Sequence, residues 1–253
     1  MTPPADQRLL DDAVAVARAA GDLTLRWFRS KALVVDRKGD GTPVTDADRA
    51  AEAHVRSWLA EAYPDDAILG EEEGEVAGTS GRRWFIDPID GTKAFTHGVP
   101  LFSTLLAVDD EHGPAVGVIH LPALGETVWA GRGLGAFVDG RPARVSNRRD
   151  LAGSYLTTSG FDYWPEAALL AVRGSGMQMR TWGDGYGYAL VATGRCEAMV
   201  DPVAAPYDLA PMPVLLGEAG GRFSDWTGAA RIDGGSGLAT NGHLHDEVMH
   251  LFG

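Results

Sequence analysis

The hydrophobic pattern of this chain changes period after its first quarter, and that switch constrains the fold more than any other feature. Leu9, Ala13, Val16, Ala20, Leu23 and Trp27 recur at spacings of four and three, which predicts one face of a helix over residues 6–30. Thr45 stands as an N-cap before a second helical pattern, Ala47, Ala51, His54, Val55, Trp58 and Ala62, with Asp46 and Asp48 in the first turn where negative charge is favoured. Beyond Tyr63-Pro64 short strand-like runs take over at residues 67–70, 83–86, 102–108, 115–120, 127–130 and 136–138, with Gly, Asp and Pro in the turns. An antiparallel sheet is expected there.

The second half mixes both patterns. Strands are expected at 154–158, 197–200 and 239–241, and helices at 165–172, 186–193, 209–219 and 245–252. Gly220-Gly221 would stop the third of these helices; its Pro211 and Pro213 are tolerated only in a first turn. No repeat of 20–50 residues and no low-complexity linker interrupts the alternation. The softest boundary, residues 146–150, suggests an α+β half over 1–145 and an α/β half over 146–253, packed as one unit.

Composition excludes several classes. With 253 residues, 45% of them hydrophobic, the chain is long and apolar enough to bury a core. No run of about 18 apolar residues is present, so no membrane-spanning helix is expected. The opening Met-Thr-Pro-Pro-Ala-Asp lacks a secretory pattern. The single cysteine, Cys196, allows neither an internal disulfide nor a cysteine-built metal site, which suits a reducing cytoplasm. A formal net charge of −13 repels polyanions such as nucleic acid. The best basic patch, Arg141, Arg144, Arg148 and Arg149, reads as a solvated loop.

Three acidic clusters sit at the ends of expected elements: Gly70-Glu71-Glu72, Asp87-Pro88-Ile89-Asp90-Gly91-Thr92, and Asp208 after Pro206-Tyr207. In the middle one, two carboxylates after a strand with a proline turn between them can face one side. So close together they would raise one pKa unless a cation intervened. Mg²⁺ suits such hard oxygen ligands. Gly91-Thr92 can open a helix whose free N–H groups bind an anion. Alone, each cluster reads as an ordinary turn, loop or N-cap. Together they offer what metal-assisted phosphoryl hydrolysis needs.

These segments, with Val44-Thr45-Asp46-Ala47-Asp48 and Glu218-Ala219-Gly220-Gly221, resemble the inositol monophosphatase superfamily over nearly the whole chain. Asp40-Gly41-Thr42-Pro43-Val44-Thr45, Gly91-Thr92-Lys93, Arg180-Thr181-Trp182-Gly183-Asp184, Leu190-Val191-Ala192-Thr193-Gly194-Arg195 and Met199-Val200-Asp201-Pro202-Val203 are similar to its histidinol-phosphate phosphatases. The resemblance implies a layered αβαβα sandwich, a homodimer, and a phosphate monoester hydrolysed by a metal-activated water with two or three Mg²⁺ ions per site. It implies Glu71, Asp87 and the Ile89 carbonyl on one ion and Asp87, Asp90 and Asp208 on a second. Asp48, Glu71 and Thr92 would be catalytic, Asp48 and Thr92 placing the nucleophilic water. Gly91 and Thr92 would hold phosphate, and Asp184 and Asp201 would face the alcohol. Those two acids suit the cationic amine and imidazole of histidinol; inositol phosphates, fructose 1,6-bisphosphate and 3′-phosphoadenosine nucleotides are the rival substrates. A regulatory binding protein on the same scaffold is the rival of another class, and the intact acids and the net charge favour catalysis. The chain departs from the family pattern at Ala94, Ala205, Tyr207 and Pro211.

Other features carry less. His243 and His245 form a His-x-His pair without a third ligand nearby, and zinc needs three or four. Lys93 and His97 follow the phosphate segment and could reach it or be solvated. Gly131-Arg132-Gly133-Leu134-Gly135 lacks the strand–loop–helix setting of a nucleotide loop. Ser159 has no partners at esterase spacing.

Overall fold

The structure is a computed structural model, and it describes residues 2–31, 33–39 and 41–252. Asp40, the first residue of one segment quoted above, lies outside the described residues. Two helices, α1 (Gln7–Thr24) and α2 (Asp46–Ala62), flank a hairpin of β1 (Val35–Arg37) and β2 (Pro43–Thr45). There follow β3 (Ala67–Gly70), β4 (Gly74–Val76), β5 (Arg83–Asp90), the short α3 (Thr92–Thr96), β6 (Ser103–Asp110), β7 (Gly113–Leu121), β8 (Glu126–Gly131), β9 (Gly135–Val138) and β10 (Arg141–Pro142). The remainder comprises β11 (Tyr155–Thr158), α4 (Glu166–Gly174), β12 (Gln178–Arg180), α5 (Asp184–Ala192), β13 (Ala198–Asp201), α6 (Pro206–Leu209), α7 (Met212–Ala219), β14 (Arg222–Ser224), β15 (Gly237–Thr240) and α8 (His245–Met249).

The strands form a large sheet in the order β10-β9-β8-β7-β6-β5-β3-β4 and a smaller one in the order β12-β11-β13-β15-β14. Neighbours in the large sheet run antiparallel except β3 and β5, so the expected antiparallel region is present. Both faces of its central strands are buried, which explains their nearly continuous apolar runs. Val116 and Val118 of β7 pack with Leu9, Ala13 and Val55 of α1 and α2. Ile119 and Leu121 pack with Tyr188, Val191 and Leu215 of α5 and α7, and with Met199 and Ala239 of the small sheet. On that sheet's far side, Leu156, Val200 and Leu238 meet Ala168 and Val172 of α4 and Val248 of α8. Five layers result, α, β, α, β, α, as the resemblance implies.

Three local expectations need correction. The first helix ends at Thr24, not near residue 30. There the Thr24 hydroxyl donates back to Gly21 O, and Arg29 takes a left-handed φ of 60°. Trp27 and Phe28 are apolar because they turn onto Phe95 and Phe102, not because the helix continues. On α2, His54 and Ala62 are exposed, while Glu52 and Leu59 are buried. The helix expected over 209–219 is two helices, α6 and α7, broken at Ala210-Pro211, and α6 starts at Pro206. Pro211 and Pro213 lack N–H groups for one continuous ladder.

Candidate active site

β5 does not end at Asp87 in a proline turn, as the sequence suggested; it continues to Asp90. Asp87 lies opposite Leu105 and Asp90 opposite Ser103, so three steps on β5 match two on β6. That is a β-bulge. In a regular strand, residues three apart face opposite sides; the extra residue restores them to one side. Pro88 fits because the bulge already interrupts the ladder, and its carbonyl accepts from the Thr104 hydroxyl at 2.8 Å.

Glu71 reaches the same place from the neighbouring strand. β3 runs parallel to β5 with Gly70 opposite Ile86, and Glu71 N–H donates to Ile86 O at 3.1 Å. Burial pushes Asp87 well above the usual carboxylate range, reinforced by the charges of Glu71, Asp90 and Asp208. Asp208 lies in the first turn of α6, where its Oδ2 accepts from Ala205 N–H at 2.7 Å. Burial pushes it up to about 6 despite that bond.

Asp48 is the third residue of α2. Its Oδ2 accepts from both the N–H and the hydroxyl of Thr45, at 2.8 and 2.6 Å. This closes the N-cap and fixes the side chain. Burial raises it to about 6. After Asp90, Gly91 takes a left-handed φ of 80° to turn into α3, a conformation glycine adopts without strain. The Thr92 hydroxyl donates to Ile89 O at 2.9 Å, leaving that carbonyl a second lone pair.

The small-sheet side is tied to this cluster through α5. Gly185 N–H and the Ser103 hydroxyl both donate to Asp90 Oδ2, at 2.5 and 2.7 Å. Asp184 begins the helix at a strained φ of 55°. Its carboxylate lies against Gly91, where a Cβ would come within 3.0 Å of Oδ2. Ser159 accepts from Asp184 N–H at 2.9 Å and donates to Asp201 Oδ1 at 2.5 Å. Burial and then the Asp184 charge raise Asp201 to about 7.

The structure therefore gathers Asp48, Glu71, Asp87, Asp90 and Asp208, with Asp184 and Asp201 beside them. Among the described residues, no three His, Cys, Asp or Glu side chains are already closed around one point as a metal ion would require. Lys38 Nζ sits among these acids, 2.6 Å from Glu71 and 2.7 Å from Glu72. Burial alone would lower this lysine, but its bonds to the two glutamates hold it above its ordinary value. The donor set still fits a hard divalent cation. Asp48 Oδ1, Glu71 Oε2 and Asp87 Oδ1 are buried without a hydrogen-bond partner, which is costly for acceptors that no cation satisfies.

Residues the sequence did not mark complete the site, Lys38, Glu52, Arg56 and Ser103, together with Ser159, which the sequence set aside as a nucleophile and which here links Asp184 to Asp201. Glu52 and Arg56 did leave a signal, because they follow Asp48 at successive steps of four on one helix face. Other candidates stand apart. His97 is exposed, bonded to Lys93 O. His245 is buried while His243 is exposed, so they form no metal pair. Cys196 is buried, and burial raises its thiol to about 11. A cleft of about 430 Å³ lined by Ala19, Asp22, Leu23, Arg26 and His54 lies on the outer helices, away from these acids.

The sequence profile of the inositol monophosphatase family matches residues 6–252. The chain belongs to that family, and with it to the phosphoric monoester hydrolases. It is 43% identical to a histidinol-phosphatase of Mycobacterium tuberculosis, with 94% of this chain and 95% of that protein covered. It is 41% identical to a histidinol-phosphatase of Chlorobaculum parvum, with 90% of each covered. Among solved structures, the extragenic suppressor protein suhB of Bartonella henselae superposes with a TM-score of 0.89 at 30% identity, covering 97% of this chain and 98% of that one.

Proposed function

We propose that this chain hydrolyses histidinol phosphate to histidinol and phosphate, with Mg²⁺ as its cofactor, as a step in histidine biosynthesis. The observation that carries the cation reading is the set of buried, unbonded oxygens on Asp48, Glu71 and Asp87. Glu71, Asp87 and the Ile89 carbonyl would hold one ion, and Asp87, Asp90 and Asp208 another, within two or three per site. When bound, such ions supply Lewis-acid stabilisation of charge on the phosphoryl oxygens and acidify water.

The chain's own groups do the rest. Asp48 keeps Oδ2 occupied by Thr45 and Oδ1 free, so Oδ1 is placed to accept a proton from the attacking water. The Thr92 hydroxyl spends its proton on Ile89 O, so toward the attacking water it would act as an acceptor. Gly91 and Thr92 N–H groups bind phosphate at the turn into α3. Asp184 and Asp201 attract a cationic alcohol, a preference that neutral inositol would not exploit. The similarity to two histidinol-phosphatases supports the same substrate.

The reading extends to a cytoplasmic homodimer with no nucleic-acid or membrane partner, consistent with the net charge of −13. Residues 1–145 would supply most metal ligands, and residues 146–253 the last ligand and the alcohol pocket.

Phosphate release from histidinol phosphate, inositol 1-phosphate, fructose 1,6-bisphosphate and 3′-phosphoadenosine 5′-phosphate, with and without Mg²⁺, tests this, with Asp90→Asn as the blank. The expected outcome is Mg²⁺-dependent turnover with kcat/KM at least about tenfold higher for histidinol phosphate, roughly 1.4 kcal/mol of transition-state preference. Preference for another substrate would discard the alcohol pocket and keep the cation site. Inactivity on all four would favour the regulatory scaffold.

A further inference from the structure

On the cation-binding reading given above, we propose that Glu52 and Arg56 are positioning residues that set the divalent-cation affinity of the site. They do so by holding the turn that presents Glu71. Glu52 is fully buried on α2. Its Oε2 accepts from Glu72 N–H at 2.8 Å. Its Oε1 accepts from Glu73 N–H at 3.0 Å and from Arg56 Nε at 2.8 Å. Arg56 in turn donates to Gly74 O at 2.5 Å and stands 3.6 Å from Glu73. The two side chains thus bracket the turn from Glu72 to Gly74 through its backbone.

The approach is close enough to dictate the residue before Glu71. A Cβ on Gly70 would overlap the Glu52 carboxylate. A buried carboxylate beneath a run of three glutamates would be strongly unfavourable if left alone. Arg56 and the two N–H donors compensate it. Both Glu52 oxygens are committed to these donors, so Glu52 has none left to ligate an ion. What it controls is where Glu71 points, and positioned carboxylates determine cation affinity as supporting residues commonly do.

Glu52→Gln is nearly isosteric but places an NH₂ group where only donors face it. One of the three donors then lacks an acceptor and the turn relaxes. Calorimetric titration of the metal-free protein with MgCl₂ should show the Kd weakened about tenfold, or roughly 1.4 kcal/mol. At saturating Mg²⁺, kcat should recover to within about twofold of wild type, a split that general loss of structure would not give. Arg56→Met should weaken Mg²⁺ in the same direction, and it decides the matter if Glu52→Gln does not fold. Unchanged Mg²⁺ affinity in the folded variants would overturn the proposal, as would a kcat loss that excess Mg²⁺ leaves in place. A wild-type protein that binds no Mg²⁺ would instead defeat the cation reading itself.

Discussion

His245 shows how much the role of a single side chain depends on what packs around it. With His243 it forms a pair too poor in ligands for zinc, and it opens α8, where its two ring nitrogens lie 3.0 Å from the Ser224 and Thr240 hydroxyls. It serves as a buried bridge between α8 and strands β14 and β15. Burial, and then the Arg222 charge, lower its pKa to about 4. The unfolded chain therefore takes up this proton first as pH falls. The stability contributed by the neutral ring is complete above about pH 6.5 and is lost from there down to about pH 4. Between pH 7 and pH 5 the loss should be on the order of 2 kcal/mol. Urea unfolding at both pH values measures it, and His245→Gln should flatten the difference. An equal acid slope in both proteins would contradict this role.

At the level of elements, the N-terminus of α5 is the joint between the two sheets. A methyl group at Gly185 would overlap Ser103 Oγ and come within 2.7 Å of Asp90 Oδ2. Helix propensity favours alanine over glycine by about 1 kcal/mol, whereas overpacking costs typically 1–3 kcal/mol. Gly185→Ala should therefore be destabilised overall and lose at least about tenfold in kcat/KM. A more stable variant in denaturant titration would mean that the joint gives way easily. The elements also show what the sequence could and could not disclose. β3, the meander from β6 to β9 and the capped start of α2 were legible because their signals are local alternation and a threonine cap. The continuation of β5 was hidden, because a bulge is a mismatch with another strand while Pro88 and Gly91 are local turn signals. Trp27 and Phe28 extended an apolar period whose cause is a contact with α3 and the start of β6. Glu71, Asp87, Asp90 and Asp208 stood out by their places at the ends of elements, whereas Asp48, Asp184 and Asp201 entered only through the family resemblance. Glu52 left only its spacing behind Asp48, because a glutamate on an amphipathic helix looks solvated until the turn beneath it is seen.

For the whole molecule, the acids make the meeting place of the two sheets a seam of negative charge. A cation that binds only the folded protein stabilises it by mass action, about 2.7 kcal/mol at a hundred times Kd. For a chain of this size that raises Tm by roughly 5–10 °C. Thermal unfolding in MgCl₂ against chelator measures the rise, and Asp87→Asn should abolish it. A wild-type Tm indifferent to Mg²⁺ would remove the cation from the account.

Lys38 gives that equilibrium a particular form. Its ammonium, carried on the turn between β1 and β2, stands 2.6 Å from Glu71 and 2.7 Å from Glu72. The protein thus brings a tethered counter-ion of its own to the acids. Loading the site is then addition beside a charge already in place: Lys38 holds one oxygen of Glu71, Oε1, and Oε2 is left for another partner. The affinity of the site for a cation is therefore set in part by an ammonium that shares the same carboxylate.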